Sequence, residues 1–291
     1  MRAGGATQAA RLPARGPVGS AIRAHEVIAN LEPPFRMARV QRFGAWFEDF
    51  GRMLFFAGEM LAWTFRPPFR LELVLFQMAA IGVGSVFIVS TTGFFTGMVL
   101  ALQTNYAMRQ LGAEGYVGGT VAISLVRELG PVLTALFVVG RSGSAIATEL
   151  GTMRVTEQID AMETMAVNPI QYLVVPRVVA AVAMLPLLTM LFDTVGYGGG
   201  YLMGIHVAEI PAGPFIEHTR TLVEPKDILH GLFKSLIFGY VIALITCWRG
   251  YSATGGAKGV GEGTTRAVVM SSVAILLVDV AFVVVTVGSG R

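Results

Sequence analysis

Arg127 and Glu128 stand side by side in Leu125-Val126-Arg127-Glu128-Leu129-Gly130-Pro131, inside a stretch that is otherwise apolar. Charges at such depth are costly unless they are paired or face a wet cavity. Adjacent residues on a helix point about 100° apart, so these two do not neutralise each other face to face. At least one must look into an internal cavity or at another helix. Two readings stay open on the residues alone: a buried ion pair pinning two spans together, or contact with a charged head group in transit. The guanidinium offers charge-assisted donors to a phosphate. Pro131 removes a backbone donor and predicts a kink.

A second constellation is polar and short: Thr156-Glu157-Gln158-Ile159-Asp160-Ala161-Met162-Glu163-Thr164-Met165. The pattern predicts a helix capped by Thr156, with Glu157 in a first turn favoured by the dipole. Ile159, Met162 and Ala166 would share one narrow face, and Glu157, Asp160 and Thr164 another. Asn168-Pro169 stops it. Such a helix is either a solvated connector or a knob for a partner, and spacing does not decide between them.

Other motifs lead nowhere. Gly255-Gly256-Ala257-Lys258-Gly259 lacks the Gly-Lys-Ser/Thr of a phosphate loop and reads as a flexible turn, so this chain is not expected to hydrolyse ATP. Gly140-Arg141-Ser142-Gly143 looks like an intramembrane serine protease motif, which needs a histidine base near the serine. His206 and His230 are expected at the opposite membrane face, about 30 Å away. The four histidines show no metal-ligand spacing, no metal site is expected, and the single Cys247 excludes an intrachain disulfide.

The elements that must position these groups follow from composition. Hydrophobic residues are 54% of the 291 and charged residues 14%, with a mean hydropathy of +0.63. A soluble domain carries about 25% charged residues, so lipid replaces water as solvent. The net charge of +3 comes from arginines at the amino terminus and beside apolar runs. That placement suits membrane orientation rather than nucleic-acid binding.

The fold expected is all-α and integral to the membrane: an interfacial amphipathic helix followed by five transmembrane helices. Residues 1–40, rich in Arg, Ala, Gly and Pro, read as a disordered basic tail. Residues 41–70 read as the interfacial helix, with Phe43, Trp46, Phe47, Phe50, Met53, Leu54, Ala57 and Leu61 on its apolar face. Residues 71–291 are expected to form the transmembrane domain, with the connector helix at 156–166. Spans are expected at Leu73 to Met108, Gly118 to Leu150, Val178 to Val207, Ile228 to Trp248 and Ala267 to Val287. Arg66, Arg70, Arg154, Arg177, Arg249, Lys258 and Arg266 then share one side, which the positive-inside rule makes cytoplasmic. The amino terminus is inside and the carboxyl terminus outside.

The run from Leu125 to Ala180, LVRELGPVLTALFVVGRSGSAIATELGTMRVTEQIDAMETMAVNPIQYLVVPRVVA, resembles the MlaE/YrbE permease family, and the likeness extends from about Phe43 to the last span. It implies the permease subunit of an ATP-driven phospholipid transporter in a bacterial inner membrane. Lipid would move between that membrane and an MCE-protein conduit, maintaining outer-membrane asymmetry. The implied partners are a second copy of the chain, a cytoplasmic ABC ATPase (MlaF-like) binding ATP and Mg, a STAS-domain protein (MlaB-like) and an MCE-domain hexamer (MlaD-like). No cofactor is implied in this chain. Carried over from the family, Arg127 and Glu128 border bound lipid, with Leu100, Gln103, Tyr106, Ala107, Met108 and Leu111 around the cavity. Glu157, Gln158, Asp160, Met162 and Glu163 belong to the helix that couples to the ATPase. Two rivals are an ion-driven secondary transporter, against which the lack of an evident repeat argues, and the protease above.

Overall fold

Apolar runs longer than a bilayer is thick can satisfy their backbone in lipid only as helices. The computed structural model describes residues 35–67 and 70–289, with side chains from Glu48 to Thr286. Helix α1 covers Phe35–Thr64. The spans are α2 (Leu71–Arg109), α3 (Glu114–Val155), α5 (Ile170–His206), α7 (Pro225–Tyr251) and α8 (Gly256–Ser289). Short α4 (Gln158–Thr164) joins α3 to α5, and α6 (Ala212–Leu222) joins α5 to α7 at the other end. Among the described residues, five helices are therefore long and apolar enough to cross a membrane.

Two compact units divide at Arg52. In the first, α1 begins at Phe35, so Phe35–Val40 are helical where a disordered tail was expected. Residues 1–34, and the side chains of Phe43, Trp46 and Phe47, lie outside the described residues. Arg52 pairs with Glu48 one turn back at 2.5 Å, both exposed. In the second unit, Phe56 and Met60 are the buried residues of α1, with Phe56 against Trp248 and Tyr251. Leu54 and Leu61, expected on the apolar face, stay exposed. From Met53 to Thr64 the helix is apolar on more than one side, so Phe56 and Met60 pack inward while Leu54 and Leu61 face outward.

Close helix contact comes from glycine. Gly93 and Gly97 of α2 lie against Phe192 and Gly196 of α5, and an added Cβ at Gly97 would run into the Gly196 carbonyl. This is the small-xxx-small packing that brings backbones together in lipid. The helices also exceed their expected ends. Arg177, expected just outside a span, is buried because Glu149 pairs with it at 2.8 Å and the Leu173 carbonyl accepts from it. The segment expected as a flexible glycine turn bends at Gly255 and enters α8 at Gly256, with φ values of +86° and +68°. Ala257, Lys258 and Gly259 are already in α8.

Three spans contain π segments: Ala79–Val83 in α2, Leu125–Leu129 and Val139–Gly143 in α3, and Ile170–Val174 in α5. A π turn shifts the hydrogen-bond register and alters the direction of the side chains it carries. Arg141 reaches across from α3 to the Ala80 carbonyl in the π segment of α2, at 3.3 Å.

Candidate functional site

The π segment of α3 carries Arg127 and Glu128. It directly precedes Gly130 and Pro131, so the missing proline donor is absorbed by a change of register as α3 continues. Facing it, Gly231 of α7 lets the two helices nearly touch, since an added Cβ would meet the Val126 carbonyl. One turn further along α7, Lys234 is completely buried. Its Nζ donates to Glu128 Oε2 at 2.5 Å and stands 2.6 Å from Asp279 Oδ1 of α8. Phe282 covers the ammonium, with Nζ 5.9 Å from the ring centre.

Arg127 turns elsewhere, to Asp227 at the start of α7, at 3.4 Å. Asp227 is buried and also caps α7: its Oδ2 accepts the Glu224 N–H at 3.0 Å. The two neighbours thus pair with different residues. Neither is sealed, for the Arg127 side chain is 41% exposed and that of Glu128 is 42%. Two basic side chains thus meet three carboxyl groups here. Lys234 and Asp279 were legible as lone charges in apolar spans, but only the fold shows that they meet Glu128.

The residues around the far end of α2 divide. Tyr106 is 71% exposed, and Gln103, Ala107 and Leu111 are also exposed. Leu100 and Met108 are half-buried and pack on the core. Among the described residues, no hydrogen bond or ion pair joins this set to Arg127 or Glu128.

At the opposite end α4 differs from expectation. Its first cap position is Glu157, held at φ +60°, and Thr156 instead closes α3, donating to the Thr152 carbonyl at 2.8 Å. Ile159 is buried and Met162 packs inward on the core, while Met165 is exposed. Asp160 accepts from Arg154 at 2.5 Å, and Glu163 from the Tyr251 hydroxyl at 3.2 Å. These acids tie α4 to α3 and α7. Gln158 donates to the Thr156 hydroxyl at 2.9 Å. Ser142, the protease candidate, shares a hydrogen bond with Ser85 at 3.2 Å rather than with a histidine.

Five apolar spans around a buried ionic cluster, with a short polar helix clamped across one end, define a polytopic membrane permease. The chain belongs to the MlaE permease family: the profile described as Permease MlaE matches residues 74–285. It is 46% identical over 212 residues to a probable ABC transporter permease protein of Rickettsia prowazekii, covering 73% of this chain and 82% of that one. It is 38% identical over 247 residues to the intermembrane phospholipid transport system permease protein MlaE of Haemophilus influenzae, covering 83% and 95%. A third relative is the chloroplastic protein trigalactosyldiacylglycerol 1 of Arabidopsis thaliana, 39% identical over 223 residues, covering 77% and 64%.

Proposed function

We propose that this chain is the membrane subunit of an ATP-driven phospholipid transporter. It works in a bacterial inner membrane and exchanges lipid with an MCE-domain conduit leading to the outer membrane. The observation that carries this reading is the buried Lys234, shared by carboxylates from two other spans, with Glu128 and Arg127 left two-fifths open beside it. A passage for a zwitterionic or anionic head group needs fixed charges with an open flank inside the apolar spans, and Arg127 and Glu128 provide them. The Haemophilus relative, named for phospholipid transport, supports the same substrate class.

Orientation follows from the basic residues. Arg154, Arg177, Arg249, Lys258 and Arg266 lie at or near the α4 end of their helices. That end is then cytoplasmic by the positive-inside rule, and the Lys234 cluster lies toward the periplasm. The amino terminus is inside and the carboxyl terminus outside. Residues 41–64 of α1 lie in the inner interface.

In this arrangement α4 receives motion from an ABC ATPase, which binds ATP and Mg. Glu157, Gln158, Asp160, Glu163 and Met165 present polar and apolar surface, while Met162 anchors the helix from within. The bonds from Asp160 and Glu163 transmit displacement to α3 and α7. A second copy of the chain brings the exposed face of Gln103, Tyr106, Ala107 and Leu111 against the open flank of Arg127 and Glu128. Leu100 and Met108 shape the wall behind. The head group then meets Arg127 while acyl chains run along α2.

The test is purification from native membrane followed by reconstitution. Co-purification of an ATPase, a STAS-domain protein, an MCE-domain protein and phospholipid is expected, with ATP-dependent transfer of fluorescent phospholipid between liposomes and the conduit. An intact, ATPase-containing complex that transfers no phospholipid would reject the reading.

A further inference from the structure

A second set of charges lies away from the Lys234 cluster, at the α4 end of the spans. Arg66 follows α1, Arg70 precedes α2, and both are exposed. Neither forms an ion pair among the described residues; Glu72, two positions beyond Arg70, is exposed and pairs with neither. Each is held by an aromatic ring instead. The Arg70 guanidinium carbon stands 4.6 Å from the centre of the Tyr172 ring, in the π segment of α5. That of Arg66 stands 5.3 Å from the Trp63 ring. Trp63 and Tyr172 are themselves packed on the core. Gln171, beside Tyr172, donates to the Arg66 carbonyl at 3.2 Å, so both arginines are tied to neighbouring residues of one helix.

Stacking on a ring occupies one face of a guanidinium and leaves its edge N–H donors for an acceptor. Among the described residues those donors have no hydrogen-bond partner. What they face follows from their depth. The apolar run from Leu73 to Met108 carries no charge, and the arginines stand just before it, where hydrocarbon gives way to head groups. Phe65, Leu71 and Leu75 beside them are exposed, an apolar surface suited to acyl chains rather than water. Two fixed cations with open donors and no paired carboxylate call for an anion. At this depth the anion at hand is the phosphate of a membrane lipid.

We propose that Arg66 and Arg70 form a site for an anionic phospholipid in the leaflet on the α4 side. Arg70 donates to the phosphate oxygens, Arg66 adds the second charge, and the acyl chains run along Leu71 and Leu75. A lipid of net negative charge is preferred over phosphatidylcholine, whose ammonium group would stand against the second guanidinium. Ordered by their rings, the arginines give up little side-chain freedom on binding. The site is separate from Arg127 and Glu128 and does not rest on the transport reading.

The experiment uses the full chain with its co-purifying subunits in phosphatidylcholine nanodiscs, without ATP. Trace photoreactive phosphatidylglycerol and phosphatidylcholine, each with a diazirine near the glycerol end of one acyl chain, are compared by mapping label to residues 70–76 and 170–175. Phosphatidylglycerol is expected to label these about thirtyfold more strongly, from two cations each worth about fivefold at a membrane surface. Around Phe87, exposed on α2 away from the arginines, the two lipids should label equally. Arg66→Leu and Arg70→Leu should each lower the preference about fivefold. Arg70→Lys keeps the charge but loses the planar stack and the paired donors, and should lose most of what Arg70→Leu loses. Unchanged elution in size-exclusion chromatography checks folding of each variant. A preference fully kept by Arg70→Lys would mean diffuse attraction to surface charge and no built site. Equal labelling of these residues by the two lipids, as a partner subunit seated over the arginines would give, would mean that no anionic lipid is selected. Either result overturns the proposal. Because no turnover is read, such a failure leaves the transport reading standing.

Discussion

The two ends of α3 hold ion pairs of opposite character. Around Glu128 the cation is fully buried and every carboxylate within reach is drawn in from another span. Around Asp160 both partners are partly solvated, and the bond clamps a short helix onto its neighbour. Removing water makes the first set unforgiving, since a buried charge that loses its partner keeps its full desolvation cost. The second set is cheap to form and cheap to break. Under the proposed function, strong, discrete electrostatics would sit where a substrate passes, and soft tethers where motion enters.

That contrast can be broken most severely at Lys234. Lys234→Met leaves Glu128 and Asp279 facing each other without a cation and should cost about 3–5 kcal/mol. Thermal melting of the detergent-solubilised complex would show it as a large drop. Adding Glu128→Gln and Asp279→Asn should restore melting but not lipid transfer, separating fold from passage. Next in size is Gly97→Val, which forces α2 away from α5 at the Gly196 carbonyl. Overpacking of this kind costs about 1–3 kcal/mol, read as a lower melting temperature with the ionic cluster intact.

Arg127→Ala is expected to lower melting, but less than Lys234→Met, because buried Asp227 loses its cation yet keeps the Glu224 N–H as a donor. Lipid transfer should fall about tenfold, the worth of one charge-assisted contact to phosphate. The smallest effect belongs to the soft end. Asp160→Asn with Glu163→Gln should shift melting by less than about 1 kcal/mol, yet lower the lipid-stimulated part of ATP hydrolysis. Stimulation equal to that of the unaltered chain would show that these bonds transmit nothing.

How much could be read from residues alone differs between the same two regions. The spans, their number and the depth of Arg127 and Glu128 follow from apolar run lengths. The partners of Arg127 and Glu128 do not follow, because Asp227, Lys234 and Asp279 lie about 100 to 150 positions away and only packing brings them near. The π segments carry no sequence signal beyond Gly130-Pro131, since the register shift depends on neighbours such as Arg141 reaching Ala80. At α4, Thr156 looked like the better cap, but its hydroxyl closes the preceding helix while Glu157 takes the left-handed turn. Burial of Phe56 and Met60 was hidden because α1 is apolar on more than one side.

The most direct measurement concerns the passage itself. A photo-crosslinking residue is placed at Tyr106, beside the proposed slot, and in a separate variant at Phe87, which is exposed nearer the other end of the same helix. Phospholipid capture in the assembled complex is then compared with and without ATP. Capture at Tyr106 that changes with ATP, against capture at Phe87 that does not, is the predicted result. Equal, nucleotide-independent capture at both positions would mean that Tyr106 touches only the surrounding bilayer, contradicting the passage drawn beside Arg127 and Glu128.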